Sequence, residues 1–274
     1  MTNHNEERAD YYAVKYASFE SDVATALRRE VFGEDIGQQG WRTAAEQAEI
    51  AEVAGIGKAS HVLDVCCGSG GPSLALVQRT GCRLTGIDRE EAGIAHARAQ
   101  ASARGLGDRV IFFLADCAGA LPFEDSRFDV VLCIDAIPHL PNRFETLREW
   151  NRVLRGRGRV VFTDNAVVTG EIAKSELDLR TASGFFLFVP PGFNEEAIKA
   201  ADLTLLRCDD TTAAMADIGA RMCSARLRHA AALEQEEGAD GFQKRQGLYA
   251  IATELAKSHR LSRFLYVAEK SVPA

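Results

Sequence analysis

Residues 61–71 read HVLDVCCGSGG, an aliphatic run that carries Asp64 and passes straight into the turn Gly68-Ser69-Gly70-Gly71. A second aliphatic run, Leu84 to Ile87, delivers Asp88 twenty positions after Gly68. That spacing is where a nucleotide-binding α/β unit places the carboxylate that grips a ribose, so the pair of runs predicts a cofactor site on a parallel sheet.

The turn does not by itself say which cofactor, because dinucleotide enzymes and enzymes that use S-adenosylmethionine (SAM) share it. Read from Gly68, the third glycine of GxGxxG is replaced by Ser73, so the close strand-to-helix packing of the dinucleotide fingerprint is not requested. Pro72, at or near the first helical position, removes a backbone N–H that would otherwise point at a pyrophosphate. SAM has no phosphate. It has a sulfonium and an α-ammonium, and Asp64 is placed to face one of them directly or through water.

The segment VLDVCCGSG at 62–70 resembles the first motif of the class I SAM-dependent methyltransferases, with Cys66 where the first glycine is usual. Further matches follow in the same order: TGID at 85–88, LAD at 114–116, LPFEDSRFDVV at 121–131, HLPN at 139–142 and RVLRGRG at 152–158. The resemblance covers roughly residues 56–165 and implies SAM as cofactor and S-adenosylhomocysteine as product. It also implies a Rossmann-like α/β fold with a doubly wound, mostly parallel seven-stranded sheet.

Composition narrows the rest. The chain has 274 residues with 46% hydrophobic and 26% charged side chains, ordinary for a globular protein. No apolar run approaches the length of a membrane span, and the polar start MTNHNEERAD does not resemble a signal peptide, so the expected location is cytoplasmic, without a membrane partner. Seven cysteines without a CxxC pattern fit free thiols in a reducing compartment better than disulfides or zinc. A net charge of −7 disfavours nucleic acid, and the densest basic run, Arg152, Arg155, Arg157 and Arg159, flanks a helix end whose dipole it complements. No His/Asp/Glu grouping has metal-ligand spacing, so no metal is expected. A homodimer is compatible with the sequence but not read from it.

Along the chain, one domain over 1–274 is expected, with a helical N-terminal cap at 1–55, a SAM-binding core at 56–169, a substrate lid at 170–202 and a C-terminal completion of the sheet at 203–274. In the cap, Tyr11, Tyr12, Tyr16 and Phe19 come early, and Ala44, Ala48 and Ala51 fall on one face of a helix between Trp41 and Val53. Strands are predicted near 61–65, 82–87, 110–114, 128–134 and 158–163, with two more at 203–207 and 264–269. Helices are predicted near 170–182, 210–235 and 239–258, and GFFLFVPPGF at 184–193 is read as core or as a cover over the substrate site.

By resemblance, the cofactor residues are Asp64, Gly68 and Gly70 in the first motif and Asp88 on the ribose, with Arg89 over the adenine. Asp116 would take the adenine amino group beside a Cys117 backbone donor. Asp135 lies after the fourth strand, and Gln38 and Trp41, in GEDIGQQGW at 33–41, would close the site from the cap. His139, in CIDAIPHLPN, is the candidate base, with substrate positioning or helix capping as alternatives. Asp164 would orient His139 or touch the substrate. His61, His96, His229 and His259 receive no role. The expected activity is methyl transfer to a hydroxyl or amine of a small-molecule acceptor. The competitors are a SAM-fold protein without methyl transfer (a binding module or a SAM-assisted cyclase) and a dinucleotide oxidoreductase.

Overall fold

A computed structural model describes residue 16, residues 18–181 and residues 184–271. Tyr11 and Tyr12 lie outside the described residues. Seven strands form one sheet in the order β3-β2-β1-β4-β5-β7-β6. They are β1 (His61–Val65), β2 (Arg83–Asp88), β3 (Val110–Leu114), β4 (Phe128–Cys133), β5 (Leu154–Val168), β6 (Leu203–Asp210) and β7 (Leu261–Lys270). β1 to β5 pair in parallel, and β7 runs antiparallel between β5 and β6.

Strand residues alternate between two cores because successive side chains point to opposite sheet faces. Val62, Val130, Leu132, Leu265 and Val267 pack on one face with α2 (Ala44–Val53), α3 (Gly71–Thr80) and α4 (Glu91–Ala103). Leu63, Val65, Val131, Cys133 and Tyr266 pack on the other with α5 (Arg143–Val153) and, after α6 (Lys174–Arg180) in the chain, with α7 (Phe193–Ala200). A strand sandwiched this way can be apolar throughout, which is why β1 and β4 read as unbroken aliphatic runs.

A third cluster joins the two ends of the chain. Leu27, Val31 and Phe32 of α1 (Asp22–Phe32) meet Met215, Ile218 and Met222 of α8 (Thr212–Arg228) and Ala252 and Ala256 of α10 (Ala239–Lys257). The cap and the C-terminal helices are therefore one layer, a contact across about 200 residues that local periodicity cannot show.

Several boundaries differ from expectation. β5 runs nine positions longer than the predicted 158–163, because β4 pairs with it from Leu154 and β7 as far as Val168. The predicted helix at 210–235 is two helices meeting at His229, α8 and α9 (Ala230–Glu237). In α2 the buried face is Gln47, Ile50 and Ala51 rather than Ala44, Ala48 and Ala51, since the long Ile50 side chain outweighs alanines in choosing what to bury. The helix starts follow their side chains: the Thr43 hydroxyl accepts from the Glu46 N–H at 3.1 Å and the Asn142 carbonyl oxygen from the Glu145 N–H at 3.3 Å.

Candidate cofactor and acceptor site

The chain runs from β1 outward to β2 and β3, then returns to β4 on the other side of β1. A ligand crevice is expected at the carboxyl ends of the strands at such a reversal. A cleft of about 190 Å³ opens there, lined by Gly68, Asp88, Asp116, Asp135 and His139 from the strand ends. The strap between α1 and α2 forms the facing wall with Gln39, Gly40, Trp41 and Arg42.

The turn after β1 is built on left-handed backbone: Cys66 has φ 60°, Gly68 φ 58° and Gly70 φ 76°. A side chain in that region costs about 1–2 kcal/mol, a cost that glycine at position 66 would not carry. Gly70 is required for packing as well, since a Cβ there would stand 2.7 Å from the Ala97 Cβ on α4. It does not line the cleft. Pro72 is the second residue of α3, as expected. Ser73, read as a lost glycine, donates its hydroxyl to the Asp64 carboxylate at 2.5 Å.

That bond moves Asp64 behind the cleft wall, where it is 5% exposed and burial pushes its carboxyl above the ordinary value against the pull of Arg42. Asp88 is better placed. It lines the cleft at the end of β2 and accepts the Gly68 N–H at 2.8 Å and the Glu90 N–H at 3.0 Å, so the acid and the glycine turn are held as one unit. Arg89, Asp116 and Cys117 line the same end, with Asp116 accepting the Ala118 N–H at 2.9 Å. The Cys67 thiol is pushed well above its ordinary value by burial, and all seven cysteines are free thiols. Among the described residues no group of three or more His, Cys, Asp or Glu could hold a metal ion, and no helix is long and apolar enough to cross a membrane.

Three expected residues are placed otherwise. Gln38 is 2% exposed and turned away from the cleft, accepting the Ile36 N–H and donating to the Glu34 carbonyl, both at 2.8 Å. Its neighbour Gln39 faces the cleft and donates to the Ser69 hydroxyl at 2.9 Å. Asp135 reaches the cleft wall, but its carboxylate is engaged by the Trp41 N–H and the Arg263 guanidinium, both at 2.7 Å. Burial alone would raise the Asp135 carboxyl; Arg263 outweighs burial and holds it below its ordinary value.

Asp164 does not partner His139. It is wholly buried, paired with Arg143 at 3.1 Å, and accepts from the Asn194 amide and the Ala166 N–H at 2.9 Å each. His139 instead sits in a short helical turn, Ile137–His139. Its Nδ1 lies 2.8 Å from the Phe185 carbonyl oxygen and its ring lies edge-on to Phe186. A carbonyl oxygen only accepts, so Nδ1 carries the hydrogen and Nε2 is the lone-pair nitrogen of the neutral ring. The aromatic segment at 184–188 thus contributes directly to the site, through Phe186 in the cleft wall. Asn165 and Arg180, 2.9 Å apart, line the same side and carried no sequence signal.

Comparison with known proteins agrees with this geometry. Residues 62–158 match the methyltransferase-domain family. Methyltransferase GfsG of Streptomyces halstedii is 32% identical over 172 residues, 59% of this chain and 58% of that protein. The 27-O-demethylrifamycin SV methyltransferase of Amycolatopsis mediterranei is 35% identical over 108 residues, 39% of each chain. The chain therefore spans less than two thirds of these relatives. The cyclopropane synthase MmaA2 from Mycobacterium tuberculosis superposes with a TM-score of 0.80 at 14% identity, over 98% of this chain and 99% of that one, a likeness of fold. From β1 into the first residues of β5, this chain is similar to a methyltransferase domain.

Proposed function

We propose that the protein transfers a methyl group to a hydroxyl or amine of a small-molecule acceptor. The observation that carries this reading is His139, whose carbonyl-bound Nδ1 makes Nε2 the proton acceptor in the cleft that the ribose acid also lines. SAM, when bound, supplies an electrophilic methyl on a sulfonium. The residues present suit that group: Asp88 would hold the ribose hydroxyls, and Asp116 and Cys117 the adenine. His139 Nε2 takes the proton that the acceptor oxygen or nitrogen must lose. Most of the acceleration comes from holding the acceptor in line, and the base adds about 10²–10⁴-fold.

Trp41, Ile134, Leu140, Phe186, Leu248 and Tyr249 give the acceptor side an apolar, aromatic wall, which favours an acceptor with an apolar body carrying the nucleophile. The likeness to a rifamycin O-demethyl-product methyltransferase supports a natural-product hydroxyl. We place the activity in the cytoplasm, on the strength of the free thiols, and without nucleic acid, given the net charge of −7. A homodimer is the assembly to test by light scattering.

The experiment is a screen of hydroxyl and amine acceptors with methyl-labelled SAM, run with wild type and His139→Gln. Label transfer that falls about 10²–10⁴-fold in the variant, with S-adenosylhomocysteine affinity retained, supports the reading. SAM binding without label transfer to any acceptor sinks it and favours a SAM-fold protein that does not transfer. NADH binding that SAM cannot displace favours an oxidoreductase.

A further inference from the structure

A second cavity, of about 90 Å³, lies among α1, α8, α9 and α10 and reaches the strap at Gln38 and Gln39. Its apolar lining is Leu27 and Phe32 from α1, Met222 from α8 and Leu233 from α9. It adjoins the cleft, because Gln39 and Tyr249 line both spaces. The Tyr249 ring stands edge-on to Trp41 of the cleft wall with centroids 5.9 Å apart, and the Arg226 guanidinium carbon of the second cavity lies 5.9 Å from the same ring. The two spaces therefore meet at a strap glutamine and a helix tyrosine.

The cavity also offers a donor. Arg226 is 2% exposed and gives its two terminal nitrogens to the Glu237 carboxylate at 3.1 and 2.9 Å. Its Nε–H is buried and has no hydrogen-bond partner among the described residues. Buried N–H groups are nearly always met, so apolar walls around a leftover guanidinium N–H suit an aliphatic group that carries an oxygen. Sites for whole small molecules run to about 300–1,000 Å³, so this space takes a short arm of a ligand held elsewhere.

We propose that the cavity is a second compartment of the acceptor site, taking a short aliphatic arm of the acceptor whose hydroxyl or carbonyl oxygen accepts from Arg226. The arm enters past Tyr249, while the nucleophile stays at His139 in the cleft. This role rests on the methyl-transfer reading above and adds the feature that selects the acceptor.

The test is fluorine NMR of the full chain saturated with S-adenosylhomocysteine and titrated with 4,4,4-trifluorobutan-1-ol or 1,1,1-trifluoropentane, a pair of equal length in which a hydroxyl replaces a methyl. Wild type should bind the alcohol about tenfold more tightly than the alkane, the value of a hydrogen bond to a charged donor. Ala24→Phe on α1 and Leu233→Phe on α9 narrow the cavity from two sides, and each should abolish alcohol binding while S-adenosylhomocysteine affinity is retained. Arg226→Met should bring the alcohol down to the alkane; Glu237 keeps Arg245 at 3.0 Å, so no carboxylate is orphaned. With an acceptor returned by the label-transfer screen, Ala24→Phe should raise KM by about tenfold, the worth of two methylenes kept out of the cavity. Alcohol binding that survives both narrowing variants, or no binding to wild type, would overturn the proposal. Equal binding of alcohol and alkane would overturn the part given to Arg226, and an unchanged KM would overturn the assignment to the acceptor. Alcohol binding as expected, with no label transferred to any acceptor, would instead sink the methyl-transfer reading and with it the cavity's part in acceptor choice.

Discussion

The backbone N–H of Trp41 donates to the Asp135 carboxylate over 2.7 Å, joining the strap that crosses the cleft to the end of β4. The same carboxylate takes the Thr163 hydroxyl at 3.0 Å and the Arg263 guanidinium at 2.7 Å, so one acid ties strap, β5 and β7 together. The bond is possible only because Gly40 has no side chain: a Cβ there would stand 2.5 Å from an Asp135 carboxylate oxygen.

Gly40→Ala should therefore lift the strap. The expected result is a loss of about 1–3 kcal/mol in stability from overpacking and weaker S-adenosylhomocysteine binding. Trp41 is 6% exposed and Trp150 1%, so the change should appear as a red-shifted tryptophan emission. Unshifted emission with full affinity would show that the strap tolerates the extra carbon.

Asp88→Asn keeps the shape of the ribose acid but removes its charge. S-adenosylhomocysteine affinity should fall by about tenfold to a hundredfold, since hydrogen bonds to charged groups are worth about 1.5–3 kcal/mol. Calorimetry reads this directly, and an unchanged affinity would remove Asp88 from the cofactor site.

Asp164→Ala tests a structural role against a catalytic one. Arg143 and Asp164 are both wholly buried, and the variant leaves the guanidinium without its counter-charge. Urea unfolding should show a loss of about 3–5 kcal/mol, while the folded variant keeps its S-adenosylhomocysteine affinity. Full stability combined with a collapse of turnover would return Asp164 to the chemistry.

His61, at the start of β1, is pulled down to about 4 by burial and by the charges of Arg83, Arg127 and Arg155. With its folded value below the unfolded 6.5, the unfolded state binds more protons between the two. The stability contribution is therefore full above pH 6.5 and is lost as pH falls toward 4. Half-exposure reduces the effect to on the order of 1 kcal/mol. Denaturation at pH 7.5 and pH 5 should show this slope in wild type and a smaller one in His61→Gln, and parallel slopes would exclude His61 as the source.

Particular residues show where sequence reading stopped. Asp88, Asp116 and His139 were found because each follows an aliphatic strand, and strand ends converge wherever the sheet is parallel. Gln38 was chosen over Gln39 by motif position, but adjacent residues of a strap point in different directions, and only the bond from Gln39 to Ser69 decides which one faces the ligand. Asp164 was expected at a strand end, yet it lies inside β5 and its side chain pairs with Arg143 on α5.

The order of strands and turns, the cofactor class and the acid at the end of β2 were determined by sequence alone, because all rest on local features: alternation, glycine turns and fixed spacing between consecutive elements. Tertiary structure alone decided which polar side chains remain for the ligand. Arg263 on the last strand takes Asp135, Arg143 on a mid-chain helix takes Asp164, and the backbone carbonyl of Phe185 sets the tautomer of His139. These partners lie up to 128 residues apart, and the pairing of buried charges depends on distance in space, which spacing along the chain does not encode.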